Sequence, residues 1–545
     1  MICFSCYIWN LDYVESMIRD VKKVMKDVII WAGGPEVSYD SRETLGRLPE
    51  LTGVMKGEGE KTFAKLCKVY GERSEISELS LEQIDGITFR CPDGTICERP
   101  WRVPMDLSEV PFVYHDMKKF ENKIIYYETS RGCPFSCSYC LSSIDKRLRF
   151  RSLDLVFNEL QFFLDHKVPQ VKFVDRTFNC KHDHAMAIWK YIQEHDNGIT
   201  NFHFEVAADL LNDEEIRLIR QMRPGLIQLE IGVQSTNTDT IREIRRTMRL
   251  EEVREHVARI KEKGNIHQHL DLIAGLPYED IKSFRKSFDD VYSMRPDQLQ
   301  LGFLKVLKGS YMQEMQQEYE LRYKDEPPYE VLSTKWLPYS DVIELKGIEE
   351  MVEIYYNSGQ FTHVVEALVE NYASAYQMYQ DLWQYYEEHD YMGIQHRRSA
   401  RYEIVLDFVK EKYPDMVMMA SNNSATPDTK YEMNDTLTDG FGVLMDHGQD
   451  TTVVDYYETD EYKEFVETMY DWQQKGYLSK DAATTTESAE NQVKAGAAFS
   501  YLAPNKPGYD TRAALLCGTE MEIAPISEPW AALHKDCAYC PDRGR

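Results

Sequence analysis

"KIIYYETSRGCPFSCSYC" runs from Lys123 to Cys140. Its first half is a short apolar and β-branched run of the kind that forms a strand. Its second half places Cys133, Cys137 and Cys140 within eight positions. Thiolates so close together bind zinc or an iron–sulfur cluster. A structural zinc site is usually tetrahedral and closed, which requires a fourth ligand nearby. The next cysteine is Cys180, at the end of the following predicted strand, and no histidine follows Cys140 closely. Three cysteines on a cubane cluster leave one iron unligated, and an open iron can bind a substrate or cofactor directly.

The same rhythm continues downstream. Candidate strands are KIIYYETS (123–130), QVKFVD (170–175), NFHFEVAA (201–208), GLIQLEIGV (225–233), IHQHLDLIAG (266–275) and DQLQLGFLKV (297–306). Amphipathic helical patterns such as SLDLVFNELQFFLDHK and DIKSFRKSFDDVYSM separate them. Six consecutive β/α units predict a whole or partial barrel, or a large doubly wound sheet. In either case the chemistry belongs at the C-terminal strand ends.

Upstream, residues 1 to about 110 alternate short apolar runs with helical patterns, as in DVIIWAGGPEVS (27–38). That alternation predicts a second α/β unit with a parallel sheet. Downstream, 310–413 reads as helical and rich in Tyr, and its aromatics are read as helix packing. From 414 to 435 the chain turns polar, with Asn, Ser, Thr, Pro and Gly, a linker signature.

Composition bounds the reading. A chain of 545 residues is long enough for two to four domains. Its net charge of −28 disfavours nonspecific nucleic acid binding. No apolar run is long enough to span a membrane, and MICFSCYIWNLDYVE has no secretory character. Twelve cysteines in such a chain predict reduced thiols with a few metal ligands, hence a cytoplasmic location.

Cys133-x-x-x-Cys137-x-x-Cys140, with Tyr139 before the last cysteine, resembles the signature of the radical SAM superfamily. The resemblance implies a 4Fe-4S cluster on the three thiolates, with S-adenosylmethionine (SAM) chelated by the open iron. One electron, from a donor such as flavodoxin or ferredoxin, then cleaves SAM to methionine and a 5′-deoxyadenosyl radical. That radical abstracts hydrogen from a small-molecule or other substrate that no motif here names. The resemblance also implies SAM contacts at the other strand tips. Asp175 and Thr177, in KFVDRTFN, match the region that holds the amino group, where Asn179 also lies. Glu205 lies inside the third strand as a buried acid needing a partner. Glu230, Gln234 and Ser235, in LEIGVQS, match the ribose and carboxylate region. Ile273 and Gly275, in DLIAGLPYE, match the adenine region. Gly132 would permit an unusual backbone angle at the strand-to-loop turn. Arg131 either offsets the cluster's charge or is solvated.

FSCYIWN, WAGGPEVS and KGEGEKTF resemble the later half of a cobalamin-binding domain, whose nucleotide tail Ser5, Gly33 and Gly34 would face. The Asp-x-His-x-x-Gly element that carries the cobalt-ligating histidine is absent, since no histidine precedes His115. The expectation is a truncated domain, or one that binds cobalamin, if at all, without that ligand.

From about 416, stretches such as EYKEFVETMYDWQQKGYLSKDAATTTES and VKAGAAFSYLAPNKPGYD resemble extracellular solute-binding lipoproteins of ABC importers. The expectation is a chimera joined near Phe408–Asp415, with an ordinary C-terminal domain as the alternative. The fold class is then α/β: a partial (β/α)6 TIM-like barrel preceded by a truncated doubly wound domain and followed by a helical extension and an α+β fragment. The expected boundaries are 1–110, 111–309, 310–414, 415–530 and a tail at 531–545. The competing functions are the solute-binding component of an importer and a nonfunctional chimera. Cys3/Cys6 and Cys537/Cys540 are read as free thiols, and His267 and His269 as residues sharing one strand face, used for packing or hydrogen bonds.

Overall fold

A computed structural model describes residues 1–72, 81–413, 417–420, 443–444, 453–455, 458–478, 487–501 and 514–515. The chain divides into two units, Met1–Gln380 and Asp381–Arg545.

The first unit begins with a five-stranded sheet. Its strands are β1 (Ile2–Ser5), β2 (Ile30–Gly33), β3 (Gly53–Met55), β4 (Ile87–Arg90) and β5 (Ile96–Glu98), in that spatial order. Strands β1 to β3 pair in parallel. Helices α1 (Leu11–Val24) and α2 (Ser41–Arg47) cover one face, where Leu11, Val14, Ile18 and Leu45 pack with Ile30, Ala32 and Val54. Helix α3 (Glu60–Glu72) lies with the other face, where Leu66 packs with Trp31, Met55, Ile87 and Phe89. Apolar residues on both sides of a strand are what a doubly covered parallel sheet requires. The expectation of a wholly parallel sheet fails at its end, because β4 and β5 run antiparallel. Only five residues join them, too few for a crossover, and the turn closes by Cys91 N–H donating to Thr95 O at 2.8 Å.

The second sheet has six parallel strands in sequential order: β6 (Ile125–Tyr127), β7 (Gln170–Phe173), β8 (Asn201–Val206), β9 (Ile227–Gln234), β10 (His267–Ala274) and β11 (Gln298–Phe303). Five fall inside their predicted runs, β9 exceeds its run (225–233) by Gln234, and the sequential order is that of a partial (β/α)6 barrel. Helices α4 (Leu153–Asp165), α5 (His182–Glu194), α6 (Asp213–Ile219), α7 (Leu250–Lys261) and α8 (Ile281–Tyr292) connect them. In α4 the buried positions Val156, Leu160, Phe163 and Leu164 recur at helical spacing and face the core. Asn212 starts α6 with a reciprocal capping box to Glu215, and Asp280 caps α8 through Ser283 N–H at 2.8 Å.

The strands alternate. Phe202, Phe204, Leu229, Ile231, Leu270, Leu272, Leu299 and Leu301 are buried on the helix side. The opposite face carries one register row of Lys172, His203, Gln228 and His267, and a second of Glu205, Glu230, His269 and Gln298. The predicted common face of His267 and His269 is this polar one.

After β11 come the helices Tyr339–Val352, Thr362–Glu370 and Ala375–Glu388. Buried Tyr355, Tyr376 and Tyr379 support the packing role predicted for the Tyr-rich stretch. In the second unit the helix Arg398–Lys412 buries Ile404, Val405, Phe408 and Val409. Helices Asp460–Gln474 and Ala489–Lys494 are also described there, together with the strand Ala498–Tyr501, which pairs with Val417–Ala420. Most of the expected 415–530 fragment and the whole 531–545 tail, with Cys537 and Cys540, lie outside the described residues. No helix among the described residues is long and apolar enough to cross a membrane.

Candidate active site

The cysteine loop leaves the C-terminal end of β6 and is bent back by a two-residue bridge, Ser130–Arg131 against Arg149–Phe150. Gly132 sits in the turn with φ +92°, and a Cβ there would lie 2.6 Å from Arg147 O. Only glycine fits this conformation and this approach, as the sequence implied. Cys133 and Cys137 are buried and Cys140 is half-buried. Cys133 Sγ contacts Thr177 Oγ1, at the tip of β7, at 3.7 Å.

Among the described residues no group of three His, Cys, Asp or Glu side chains could hold a single metal ion. A mononuclear thiolate site would draw its sulfurs within about 4 Å of one another, given Zn–S bonds of about 2.3 Å. Cubane ligands sit on separate irons and stand farther apart. Three thiols on one glycine-turned loop are the donor set a cluster would take, and Cys133, Cys137 and Cys140 would hold it. Burial raises the Cys137 thiol, and the Arg246 guanidinium beside it opposes that rise.

Arg246 is the residue that sequence reasoning missed. It lies between the short helix Thr238–Glu243 and α7. Its Nη1 reaches Cys137 Sγ at 3.8 Å and Tyr139 Oη at 3.3 Å, and its Nη2 donates to Gly232 O. Tyr139 thus lines the cluster loop, held by the same cation. A side chain 109 positions from Cys137 gave no local signal.

The strand tips separate into two groups. Gln234 ends β9 with φ +71°, and its buried Oε1 has no hydrogen-bond partner among the described residues; nor has Arg246 Nε. Orphaned polar atoms beside the cysteine loop fit a polar cofactor. Ile273 is half-buried on the polar face of β10, and Gly275 follows with φ +89° against Val331. Ser235 is fully buried and donates to Glu279 at 2.8 Å; Glu279 also accepts from Ser287 at 2.8 Å. Burial raises Glu279 to about 7, and it anchors the β9 tip, a role the sequence did not disclose.

Asp175 differs from expectation. It is fully buried, and Thr129 occupies both its oxygens, through N–H at 3.0 Å and Oγ1 at 2.7 Å. It ties β6 to β7 rather than offering a free carboxylate, and burial raises it to about 6. Asn179 likewise bonds Ala207 N–H and C=O, each at 2.9 Å. Glu205 and Glu230 stand side by side in the register with opposite electrostatics. Glu230 accepts from His203 at 2.8 Å and Lys172 at 3.0 Å; chiefly through the His203 bond, its carboxyl is lowered to about 2. Among the described residues Glu205 has only Arg176 as an ion-pair partner, at 3.9 Å, and burial raises it to about 7.

Arg131 departs from both of its readings. It pairs with Glu128 at 2.7 Å, Glu60 at 3.0 Å and Glu58 at 3.4 Å. Glu58 also accepts from Arg149 at 2.6 Å. The KGEGE turn of the N-terminal part thus clamps both arginines flanking the cysteine loop.

In the N-terminal sheet, Gly34 follows β2 with φ +113°, and a Cβ there would lie 2.4 Å from Cys6 O. A Cβ at Gly33 would meet Met55 at 3.3 Å. Ser5 is exposed at the end of β1. The glycines are thus explained by the chain's own close crossing at the C-terminal strand edge. Cys6 is buried, which pushes its thiol up to about 12 and supports the free-thiol reading; Cys3 is also free. A cavity of 580 Å³ opens at this edge, between Leu11, Asp12, Tyr39 and Asp40 on one side and Lys308 and Tyr329 on the other.

Family models match three segments: the radical SAM superfamily over residues 127–291, a B12 binding domain over 1–67, and a protein family of unknown function, DUF4080, over 317–503. The last spans the expected 414/415 boundary. The cobalamin-dependent radical SAM methyltransferase TokK of Streptomyces tokunonensis is 25% identical over 308 residues, 52% of this chain and 44% of that protein. The chain spans about half the length of the curated relatives it matches. The fold resembles the cobalamin-dependent SAM radical enzyme OxsB, with TM-score 0.53, 14% identity and coverage of 76% and 67% of the two chains. It also resembles TsrM from Kitasatospora setae, solved with cobalamin and a [4Fe-4S] cluster, with TM-score 0.50, 16% identity and coverage of 60% and 68%. A carbohydrate ABC transporter substrate-binding protein of Streptococcus pneumoniae is 34% identical over 91 residues, 16% of this chain and 18% of that one. The chain carries a radical SAM domain, which implies a 4Fe-4S cluster and SAM, and ahead of it a B12-binding domain.

Proposed function

We propose that the protein is a radical SAM enzyme that starts radical chemistry on a substrate its sequence does not name. The observation that carries this is the three-cysteine loop at the tip of β6, beside strand tips that hold orphaned polar atoms. A cluster bound there supplies the electron that cleaves SAM reductively. The chain's own residues hold and orient: Cys133, Cys137 and Cys140 take the cluster, while Tyr139, Thr177, Gln234, Ile273 and Gly275 border the space for SAM. Ser235 and Asp175 shape that space from behind. Glu205 and Glu230 lie deeper on the polar face.

Cobalamin-dependent methyl transfer is the first reaction to test, since TokK and TsrM carry that chemistry in their names. Ring rearrangement is the second. Ser5, Gly33 and Gly34 border the cobalamin edge, and cobalt would be bound without a histidine from residues 1–114. The reducing cytosol suits thiolate ligands and the free cysteines. The family match over 317–503 supports reading the helical extension and the segment after it as parts of one protein. The solute-binding-fragment reading rests on the 91-residue resemblance alone, which covers 16% of this chain. A product amplified unbroken from source DNA across codons 400–430 rules out misassembly.

The test is anaerobic reconstitution with iron and sulfide, followed by SAM and dithionite. Wild type should yield 5′-deoxyadenosine, and the triple Cys133→Ala/Cys137→Ala/Cys140→Ala variant none. Equal yields from both would defeat the proposal.

A further inference from the structure

The bridge that closes the cysteine loop sets two like charges face to face. Arg131 and Arg149 are direct partners across it. Like charges directly opposite each other in an antiparallel pair repel and push the strands apart. Their side chains are only 23% and 15% exposed, so solvent ions screen that repulsion poorly. The bridge has two residues on each strand and little pairing of its own to resist it. Yet the cysteine loop hangs from this bridge. Gly132 and Cys133 follow Arg131 directly, and Cys133 N–H donates to Asp145 O, four residues before Arg149, at 3.2 Å.

Glu58 is placed to cancel the repulsion. Among the described residues it alone pairs with both arginines, through one carboxylate oxygen at 2.6 Å from Arg149 and 3.4 Å from Arg131. Glu60 and Glu128 reach Arg131 only, and Asp145 reaches Arg149 only. The second oxygen of Glu58 accepts from Met105 N–H at 3.0 Å, which aims the first at the arginines. The turn that carries Glu58 is itself anchored. Lys56 is buried, and its Nζ donates to Glu98 at 2.7 Å and to Arg99 O at 2.8 Å. Gly57 N–H donates to Ser38 Oγ at 3.1 Å. Glu58 therefore projects from backbone tied to the N-terminal sheet, and it holds a loop that belongs to the barrel.

We propose that Glu58 is a positioning residue for the cluster site: by pairing with Arg131 and Arg149 at once, it keeps the bridge shut and sets the cysteine loop against the tips of β7 and β9. The N-terminal part is then a component of the SAM site, with or without cobalamin. The claim about SAM rests on the radical SAM reading, the claim about the bridge does not, and the experiment separates the two. The variant is Glu58→Gln, which keeps the side chain's size and an acceptor for Met105 N–H but removes the charge. It is compared with wild type, with Arg149→Gln and with the double variant, all as full-length chains reconstituted with iron and sulfide.

Limited trypsin digestion reads the bridge, since Lys146 and Arg147 lie just inside it. Glu58→Gln should speed cleavage there about tenfold and leave other sites at their wild-type rates. In the Arg149→Gln background, where the opposing charge is gone, the same substitution should change cleavage by less than about twofold. The SAM concentration that half-converts the reduced cluster's electron paramagnetic resonance spectrum should rise about fivefold in Glu58→Gln, because fewer molecules hold the loop in place. Unchanged cleavage at 146–147, or faster cleavage at every site, overturns the proposal. An effect equally large in the Arg149→Gln background overturns it too. Faster local cleavage with an unchanged SAM titration shows a purely structural brace and overturns the positioning role. A wild-type spectrum that ignores SAM, with no deoxyadenosine from dithionite, defeats the radical SAM reading and the positioning role with it; the cleavage cycle on the same chains then upholds or overturns the bridge claim separately.

Discussion

Both sheets of the first unit contain parallel strands, β1 to β3 in one and all six in the other, yet they use their faces differently. In the N-terminal sheet β2 is buried at all four positions, and separate apolar clusters fill both sides. In the six-stranded sheet, β9 alternates between buried Leu229 and Ile231 and half-buried Glu230 and Gly232. Parallel strands covered on both faces normally read as continuous apolar runs. A closed barrel of this type packs its interior with branched apolar side chains. The alternation therefore marks the inner face as one kept for polar contents. The difference separates a sheet whose residues hold it together from one whose residues also hold something else.

Adjacent residues on opposite faces offer the sharpest way to break this contrast. Phe204 is fully buried among Phe173 and Phe178, each 4.4 Å away between ring centroids. Phe204→Ala should cost ~3–5 kcal/mol in urea unfolding. Glu205→Gln, one residue on, should instead stabilise the protein at pH 8 by about 2 kcal/mol. Glu205 has its carboxyl raised from 4.5 to about 7, so its ionisation opposes folding as pH climbs through that window. Below pH 4.5 the carboxyl is protonated in both states and the variant should match wild type. A loss of stability at pH 8 would show that Glu205 is a structural ion-pair partner after all.

In the N-terminal sheet, Gly34→Ala meets a backbone oxygen at 2.4 Å in a left-handed conformation and should cost ~1–3 kcal/mol. Thermal melting of the variant checks this, and cobalamin co-elution should fall with it. The smallest effect is expected at Glu230, whose carboxyl is lowered to about 2. Its contribution is fully present above pH 4.5 and is lost as pH falls through about 2. Glu230→Gln should cost about 1–2 kcal/mol at pH 7, reduced by the partial exposure of Lys172, with the cost shrinking as pH falls toward 2 and vanishing only below it. A pH-independent difference would contradict this assignment.

Most of the barrel was legible because its signals are local. A period of two residues on each strand and 3.6 on each helix put all six strands and the cysteine loop where the structure has them. Gly132 was legible for the same reason, since a strand-to-loop turn beside a ligand favours glycine. What was hidden depends on contacts between distant residues. Nothing near Arg246 announces that it reaches Cys137, and nothing near Glu279 announces Ser235. Asp175 matches by sequence the region that holds the SAM amino group, but its partner is Thr129, just past the end of β6. Arg131 looked like a cluster or solvent residue because Glu58 and Glu60 are about seventy positions away. The β4–β5 hairpin was hidden behind a helical rhythm that ended one element early.

The central claim is that three cysteines leave one iron open and that the neighbouring strand tips present SAM to it. Electron–nuclear double resonance on the reduced, reconstituted protein tests it directly, using SAM labelled with nitrogen-15 at the amino group and oxygen-17 at the carboxylate. Hyperfine coupling of both labels to the cluster spin is the predicted result. A cluster spectrum that SAM leaves unchanged, with no coupling from either label, would contradict the account.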